Sequence, residues 1–340
     1  MLNAGFHKVL LIPGEQEFVV EAGQVVLDAA LKRGVSLRYG CRRGRCSSCK
    51  YRVLKGDADF GAASPYCLSE VEREEGWALL CCARPLSDLV IVDQFAANGR
   101  EKQVVIPQEF RASVISASRL SKSLWQLRLS MECGMEFYPG QFIELQVPSS
   151  PGQWRAYSIA NSPLADRTIE LIVKEIQGGA FSGNLTSLNP GKELVLRGPY
   201  GSSYIRDGDS PVLLVGTGSG IAPLLSILRH AEETQDPRSF LLVYGAKSLA
   251  EVPFVERFDR LKQQLRQFDY KLALSADPTR PQSNRRVTTL LQHLIDDASC
   301  YDAYLCGRPD MCDSVALLLE AKGLNDEHMF VDRFYPTGIE

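Results

Sequence analysis

The chain has 340 residues, enough for two or three domains, and its 45% apolar and 23% charged content is ordinary for a globular protein. A net charge of −3, with no basic stripe interleaved with aromatics, argues against a nucleic-acid partner. No run of about eighteen apolar residues predicts a membrane span, and ten cysteines without a charged-then-apolar leader point to a reducing cytoplasm and to metal or redox chemistry.

Phe6–Ile12 and Glu17–Val20 flank the turn at Pro13 and Gly14, which predicts a hairpin. Val25–Arg33 predicts a short helix ended by Gly34. Cys41, Cys46 and Cys49 then form Cys-x4-Cys-x2-Cys, with Cys81 about thirty residues on, a spacing that suits a plant-type [2Fe–2S] cluster. Three ligands on one loop leave room only for small or outward-facing residues between them, so that amides can point at sulfur. Gly40, Gly44, Ser47 and Ser48 suit that need. A structural zinc site would more often show two Cys-x2-Cys pairs. Spacing alone leaves the fourth ligand open between Cys81 and Cys82. Further on, Lys50–Leu54 predicts a strand stopped by Gly56. Leu68–Gly76 predicts a short helix with Ser69 and Glu72 spaced for a capping box, and Leu89–Val92 predicts a closing strand.

These strands, the helix, the cysteine loop and Leu-Leu-Cys together resemble the β-grasp fold of plant-type ferredoxins. The resemblance implies Cys41, Cys46, Cys49 and Cys81 as cluster ligands and Cys82 as a spare thiol. Residues 1–95 carry 12 Lys and Arg against 12 Asp and Glu, unlike the acidic photosynthetic ferredoxins. Arg38, Arg42, Arg43 and Arg45 surround the loop and are expected either to dock an acidic patch on an electron acceptor or only to solvate the loop.

Residues 96–109 are polar and read as a linker. Six short strands follow: 111–118, 124–129, 142–147, 155–160, 168–175 and 193–197. Pro-Gly turns at 139, 151 and 190 separate them, which predicts an antiparallel barrel. Within it, Arg155, Tyr157 and Ser158 offer a cation, an aromatic face and a hydroxyl. Gly178, Gly179 and Ser182 offer a turn that a pyrophosphate can approach. With Gly198-Pro-Tyr-Gly201 in this order, the segment resembles the flavin domain of the ferredoxin–NADP reductase superfamily. That implies Arg155 on the flavin phosphates, Tyr157 against the isoalloxazine, Ser158 near flavin N5, and Lys174 in the basic position before the glycine pair. The Arg-x-Tyr-Ser form favours FAD over FMN.

From Pro211 an apolar strand, a glycine-rich turn at Gly216, Thr217, Gly218 and Gly220, and an alternation of helices and strands predict a parallel sheet covered on both faces. Ile221 breaks the Gly-x-Gly-x-x-Gly fingerprint, yet the turn still aims amides at a phosphate. Gly-Thr-Gly-x-Gly-Ile-Ala-Pro, Tyr-Gly-x-Lys and Cys306-Gly-x-Pro resemble the nicotinamide half of the same superfamily. That implies Gly216, Thr217, Gly218 and Pro223 bordering the cofactor, Cys306 and Gly307 beside the nicotinamide, and Phe334 over the flavin ring, with Asp332 where Glu is commoner. Lys247, Arg280, Arg285 and Arg286 are available to a 2′-phosphate, but the resemblance favours NADH.

The order of modules is a β-grasp α+β ferredoxin domain (1–95), an all-β flavin barrel (110–205) and an α/β nicotinamide domain (206–340). It resembles the reductase components of bacterial multicomponent oxygenases, of benzoate-dioxygenase and soluble alkane, alkene and phenol monooxygenase type. The resemblance implies hydride entry from NADH to FAD, single-electron exit through [2Fe–2S], and a separate terminal oxygenase as acceptor. It assigns catalytic positions to Ser158, Cys306 and Phe334. Alternatives are the same relay serving a deoxysugar dehydratase system, or a redox sensor.

Overall fold

Val9, Leu11, Phe18 and Val20 are buried between less buried neighbours, and that period of two builds the first hairpin. Strand β1 (Phe6–Ile12) pairs antiparallel with β2 (Gln16–Glu21), Val9 opposite Phe18. The computed structural model describes residues 5–94, 100–165, 167–279 and 281–335. Helix α1 (Val26–Lys32) buries Val26, Leu27, Ala29, Ala30 and Leu31. After it, Gly34 takes φ +72 and donates to the Leu31 carbonyl, as a helix-ending glycine does.

The cysteine loop leads into β3 (Lys50–Lys55), β4 (Ala58–Asp59), helix α2 (Glu70–Glu74), β5 (Trp77–Leu79), β6 (Arg84–Pro85) and β7 (Leu89–Val92). The main sheet runs β2-β1-β7-β3-β5, with β1 and β7 parallel and the other pairs antiparallel, while β4 and β6 form a separate ribbon. The mixed sheet with a helix across it is the expected β-grasp fold. The strands β4, β5 and β6 have only two or three residues each, too few for a sequence period to show. The expected capping box on α2 forms: the Glu72 amide donates to Ser69 Oγ and the Ser69 amide to Glu72 Oε2.

Chain contacts divide the molecule after Pro107 into two units. Of the expected linker, 96–99 lie outside the described residues. Residues 100–107 carry no helix or strand, and β8 begins at Gln108.

The second unit opens with β8 (Gln108–Arg119), β9 (Leu124–Met131), β10 (Phe142–Gln146), β11 (Trp154–Ser158), β12 (Thr168–Lys174) and β13 (Glu193–Tyr200). Their order is β11-β10-β13-β8-β9-β12, every pair antiparallel, and a bridge between Ile159 and Leu171 joins the two edges. Closure removes the free edges and encloses a core of Leu127, Leu129, Ile143, Leu145, Leu171 and Val173. Each such side chain, fully buried, contributes about 1.5–3 kcal/mol.

The rest alternates β14 (Val212–Thr217), α3 (Ile221–Thr234), β15 (Phe240–Ala246), α4 (Val255–Gln264), β16 (Phe268–Leu274), α5 (Val287–Leu294), β17 (Asp302–Gly307), α6 (Pro309–Ala321) and β18 (Met329–Arg333). The sheet is wholly parallel, in the order β16-β15-β14-β17-β18. Strand β14 is apolar throughout because both its faces are covered. Val212 and Leu214 join the core under α3 and α4, and Leu213 and Val215 join the core under α5 and α6.

The barrel and this sheet share one unit. Arg229 of α3 donates to the Ala160 carbonyl at 3.0 Å and pairs with Glu170 at 2.9 Å, and Ser226 Oγ donates to the Asn161 carbonyl at 2.7 Å. The buried Arg206, on the segment between them, packs its guanidinium over Tyr204 and Phe330.

Candidate functional site

The cysteine loop is held from several sides. Tyr51 Oη accepts the Arg38 amide at 2.6 Å, and Arg42 reaches back to Asp28 of α1 at 2.9 Å. The first amides of α1, otherwise without helical partners, donate elsewhere: Val26 N–H to the Ala83 carbonyl and Leu27 N–H to the Leu80 carbonyl. That fixes the turn bearing Cys81. The Leu80 amide donates to the Cys49 carbonyl, so the distant cysteine is tied to the loop's end.

Arg42, Gly44 and Ser47 take positive φ of 56°, 68° and 57°, and the loop coils so that amides point inward. Cys41 N–H aims at Cys46 Sγ (3.3 Å), Arg43 N–H at Cys41 Sγ (3.4 Å) and Gly44 N–H at Cys81 Sγ (3.3 Å). The thiols lie close enough to perturb one another, Cys41 with Cys46 and Cys81 with both Cys49 and Cys82. A hydrogen bond from Cys41, opposed by burial, draws the Cys46 thiol down to about 5, and the same contact pushes Cys41 up. Among the described residues no three His, Cys, Asp or Glu side chains converge on one point. Four thiols, three of them met by inward amides, are the donor set a two-iron cluster takes. The expected small residues divide their work: Gly44 supplies an amide and Ser48 a hydrogen bond to Cys46, but Ser47 Oγ turns away to the Cys67 carbonyl. The four arginines also divide. Arg42 is spent on Asp28 with its side chain 11% exposed, whereas Arg45 is exposed.

In the barrel, Arg155 and Tyr157 alternate along β11 and so share a face, with Ser158 turned into the protein. Tyr157 packs beside Phe181, ring centroids 5.4 Å apart, a partner the sequence reading missed because it lies outside the motif. Lys174 ends β12, exposed, and the chain runs on into the Gly178–Gly179 turn. Gly178 has φ +73 with open space where a Cβ would stand, while a Cβ on Gly179 would meet Ser182 Oγ at 2.5 Å. The open backbone at Gly178 is of the kind that a pyrophosphate can approach.

In the parallel sheet, Gly216, Thr217, Gly218, Cys306 and Gly307 gather at the carboxyl ends of β14 and β17, where the strand order reverses and ligands of such sheets bind. Packing is close: a Cβ on Gly220 would lie 2.1 Å from the Cys306 carbonyl oxygen, and one on Gly307 2.7 Å from Thr217 Oγ1. Tyr244 Oη donates to the Gly218 carbonyl, holding the turn from the next strand. Pro223 sits buried in the first turn of α3, where its missing N–H costs nothing. Phe334 is brought to the same end by its amide, which donates to the Gly307 carbonyl at 2.8 Å. Cys306 faces Asp332 across the register. Burial first, and Asp332 second, push its thiol up, so it stays protonated. Thr217 Oγ1 is buried without a hydrogen-bond partner, an acceptor and donor left over for a ligand. Strand β12 packs against the 218–220 turn and α3, so the barrel adjoins the glycine loop. Of the basic residues considered for a 2′-phosphate, Lys247 and Arg286 are exposed, Arg285 donates to the Pro278 carbonyl, and Arg280 lies outside the described residues.

Three domain families match along the chain: the 2Fe-2S iron-sulfur cluster binding domain over residues 10–86, the oxidoreductase FAD-binding domain over 111–204 and the oxidoreductase NAD-binding domain over 214–316. The propane 2-monooxygenase reductase component of Rhodococcus jostii is 33% identical over 98% of this chain and 93% of its own length. The chain belongs to the reductase components of multicomponent oxygenases. Another relative of this reductase is the phenol 2-monooxygenase reductase component DmpP of Pseudomonas sp. (33%, 97% of this chain, 94% of the relative). The toluate 1,2-dioxygenase electron transfer component of Pseudomonas putida is 30% identical over 92% of this chain and 93% of its own length. Among solved structures, the Amycolatopsis cytochrome P450 reductase GcoB superposes with a TM-score of 0.83 at 28% identity, covering 98% of this chain and all of the other. The reductase thus carries cluster, flavin and nicotinamide modules in the expected order. No helix among its described residues is long and apolar enough to cross a membrane.

Proposed function

We propose that this chain is the NADH-dependent, cytoplasmic reductase of a soluble hydrocarbon- or phenol-hydroxylating monooxygenase. The observation that carries this is the near full-length likeness, at 33% identity, to propane and phenol monooxygenase reductases, against 30% for the toluate dioxygenase component. A ring-hydroxylating dioxygenase remains the second reading, on that weaker likeness. The relatives named above do not point to a deoxysugar dehydratase system or a redox sensor.

When bound, the cofactors supply hydride acceptance at the flavin and single-electron transfer at the cluster. The protein's part is to bind and orient. Cys41, Cys46, Cys49 and Cys81 would hold the cluster, with the loop amides tuning it. Arg155, Lys174, Gly178, Gly179 and Ser182 would hold the FAD phosphates, with Tyr157 along the ring and Ser158 near N5. Gly216, Thr217, Gly218, Pro223, Cys306, Gly307 and Phe334 would border the nicotinamide. The corresponding domains would be 1–95, 110–205 and 206–340, with 96–109 as the joint.

The electron exit would be the face beside the cluster loop. Arg45 is exposed there, and Tyr66, 98% exposed, stands on a segment tied to the loop by Ser64 N–H to Gly44 and Ser47 Oγ to Cys67. An exposed cation near the exit favours an acidic docking patch on the oxygenase. Reconstitution with the hydroxylase components of a propane and of a phenol monooxygenase, each on its own substrate, tests the assignment. Product formed from NADH only when both proteins are present supports it, and none with either substrate overturns it. Arg45→Glu is expected to slow reduction of the hydroxylase and flatten its salt dependence, and an unchanged salt slope would remove the docking role.

A further inference from the structure

Cys81 and Cys82 are consecutive, yet their sulfurs turn toward the same place, 3.8 Å apart. The turn makes this possible: the Cys82 and Ala83 amides both donate to the Leu79 carbonyl, and α1 holds the Leu80 and Ala83 carbonyls from the other side. Both residues are 9% exposed, and neither is in a disulfide. Gly44 reports where Cys82 points. Its amide aims at Cys81 Sγ at 3.3 Å, while a Cβ on the same residue would lie 2.7 Å from Cys82 Sγ. One residue of the cluster loop therefore faces both sulfurs. Cys82 is a fifth thiol of the ligand pocket, not an isolated surface cysteine.

We propose that Cys82 is a reserve ligand, able to take over from Cys81 its place on the cluster. This rests on the assignment of Cys41, Cys46, Cys49 and Cys81 as the resident set. The exchange is a ligand substitution without change of oxidation state: the Cys81 sulfur–iron bond breaks and that sulfur takes up a proton, while Cys82 loses one and bonds to the iron. A change of side-chain rotamer with a small shift of the turn spans the distance. Its consequence is a cluster that survives damage at one ligand position, next to the exit face, and at no other.

The test uses the full chain, purified with its FAD, as Cys81→Ala, Cys82→Ala, Cys49→Ala and the Cys81→Ala/Cys82→Ala pair. Alanine offers no oxygen to stand in for sulfur. Iron and acid-labile sulfide per chain, visible absorption and the electron paramagnetic resonance of the dithionite-reduced protein are measured, before and after reconstitution with ferrous iron and sulfide. Cys81→Ala is expected to keep most of its iron with altered resonance positions, while Cys49→Ala and the double variant lose it by roughly tenfold or more. If Cys81→Ala is as empty as the double variant, even after reconstitution, the reserve role is wrong and the resident set stands. If Cys82→Ala is empty and Cys81→Ala indistinguishable from wild type, the resident set itself is wrong, and the proposal falls with it.

Discussion

Thr217 closes β14 with a hydroxyl that is buried and unbonded, at the spot where Gly220 and Gly307 leave no room for a side chain. An unsatisfied buried hydroxyl is a cost to the folded chain unless something else completes it. Thr217→Val keeps the shape and removes that hydroxyl. NAD affinity should fall by the worth of one neutral hydrogen bond, about 0.5–1.5 kcal/mol or some 2–12-fold, while the thermal midpoint holds or rises. Titration of flavin-loaded protein with NAD, beside a melting curve, checks both halves, and an unchanged affinity would make Thr217 a packing residue only. The motif named Thr217 as a neighbour of the cofactor, but only its surroundings show why a hydroxyl is useful there. Arg42 teaches the converse: grouped by sequence with three other loop arginines, it is bound inward to Asp28.

At the scale of the element, α2 is only five residues long and buries none of them, so its ends carry it. Lys50 first, then the Ser69 amide, hold the Glu72 carboxyl down to about 2 from an ordinary 4.5. A depressed carboxylate stabilises the fold above its unfolded value and loses that contribution as pH falls through its folded one. Glu72→Gln keeps an acceptor for the capping box but cannot ionise. The wild type's advantage over it in denaturant midpoint should therefore be full above about pH 5 and vanish toward about pH 2. An advantage independent of pH would mean that the box, and not the charge, is what matters. Helix α3 shows the costlier case. Arg229 and Glu170 are paired with side chains only 12% and 10% exposed. Arg229→Ala strands a buried carboxylate and should cost about 3–5 kcal/mol, part of which Arg229→Ala/Glu170→Gln recovers, because the second change removes the stranded charge. Chemical denaturation of the two variants measures the difference, and equal losses would deny the charge any part.

For the whole molecule, the ends of the relay are separable. Cys46→Ala removes one proposed ligand, a residue of the first unit. NADH should bleach the flavin at an unchanged rate, followed by stopped flow, while electron delivery to the hydroxylase falls to background. Flavin reduction lost together with delivery would mean that the two units depend on each other for folding or chemistry.

The order of the modules, the cysteine spacing, the capping box of α2 and the glycine-rich turn after β14 were all legible in the sequence. Each rests on local spacing, and local spacing is what a linear chain records. The short strands β4, β5 and β6 were not legible, because two or three residues set no period. The meeting of Cys81 and Cys82 sulfurs, the inward turn of Arg42, the packing of Phe181 beside Tyr157 and the empty hydroxyl of Thr217 belong to tertiary structure alone. They join residues far apart in sequence or depend on which way a side chain turns, and that is decided only when strands and helices have packed and the remaining polar groups must find partners or go without.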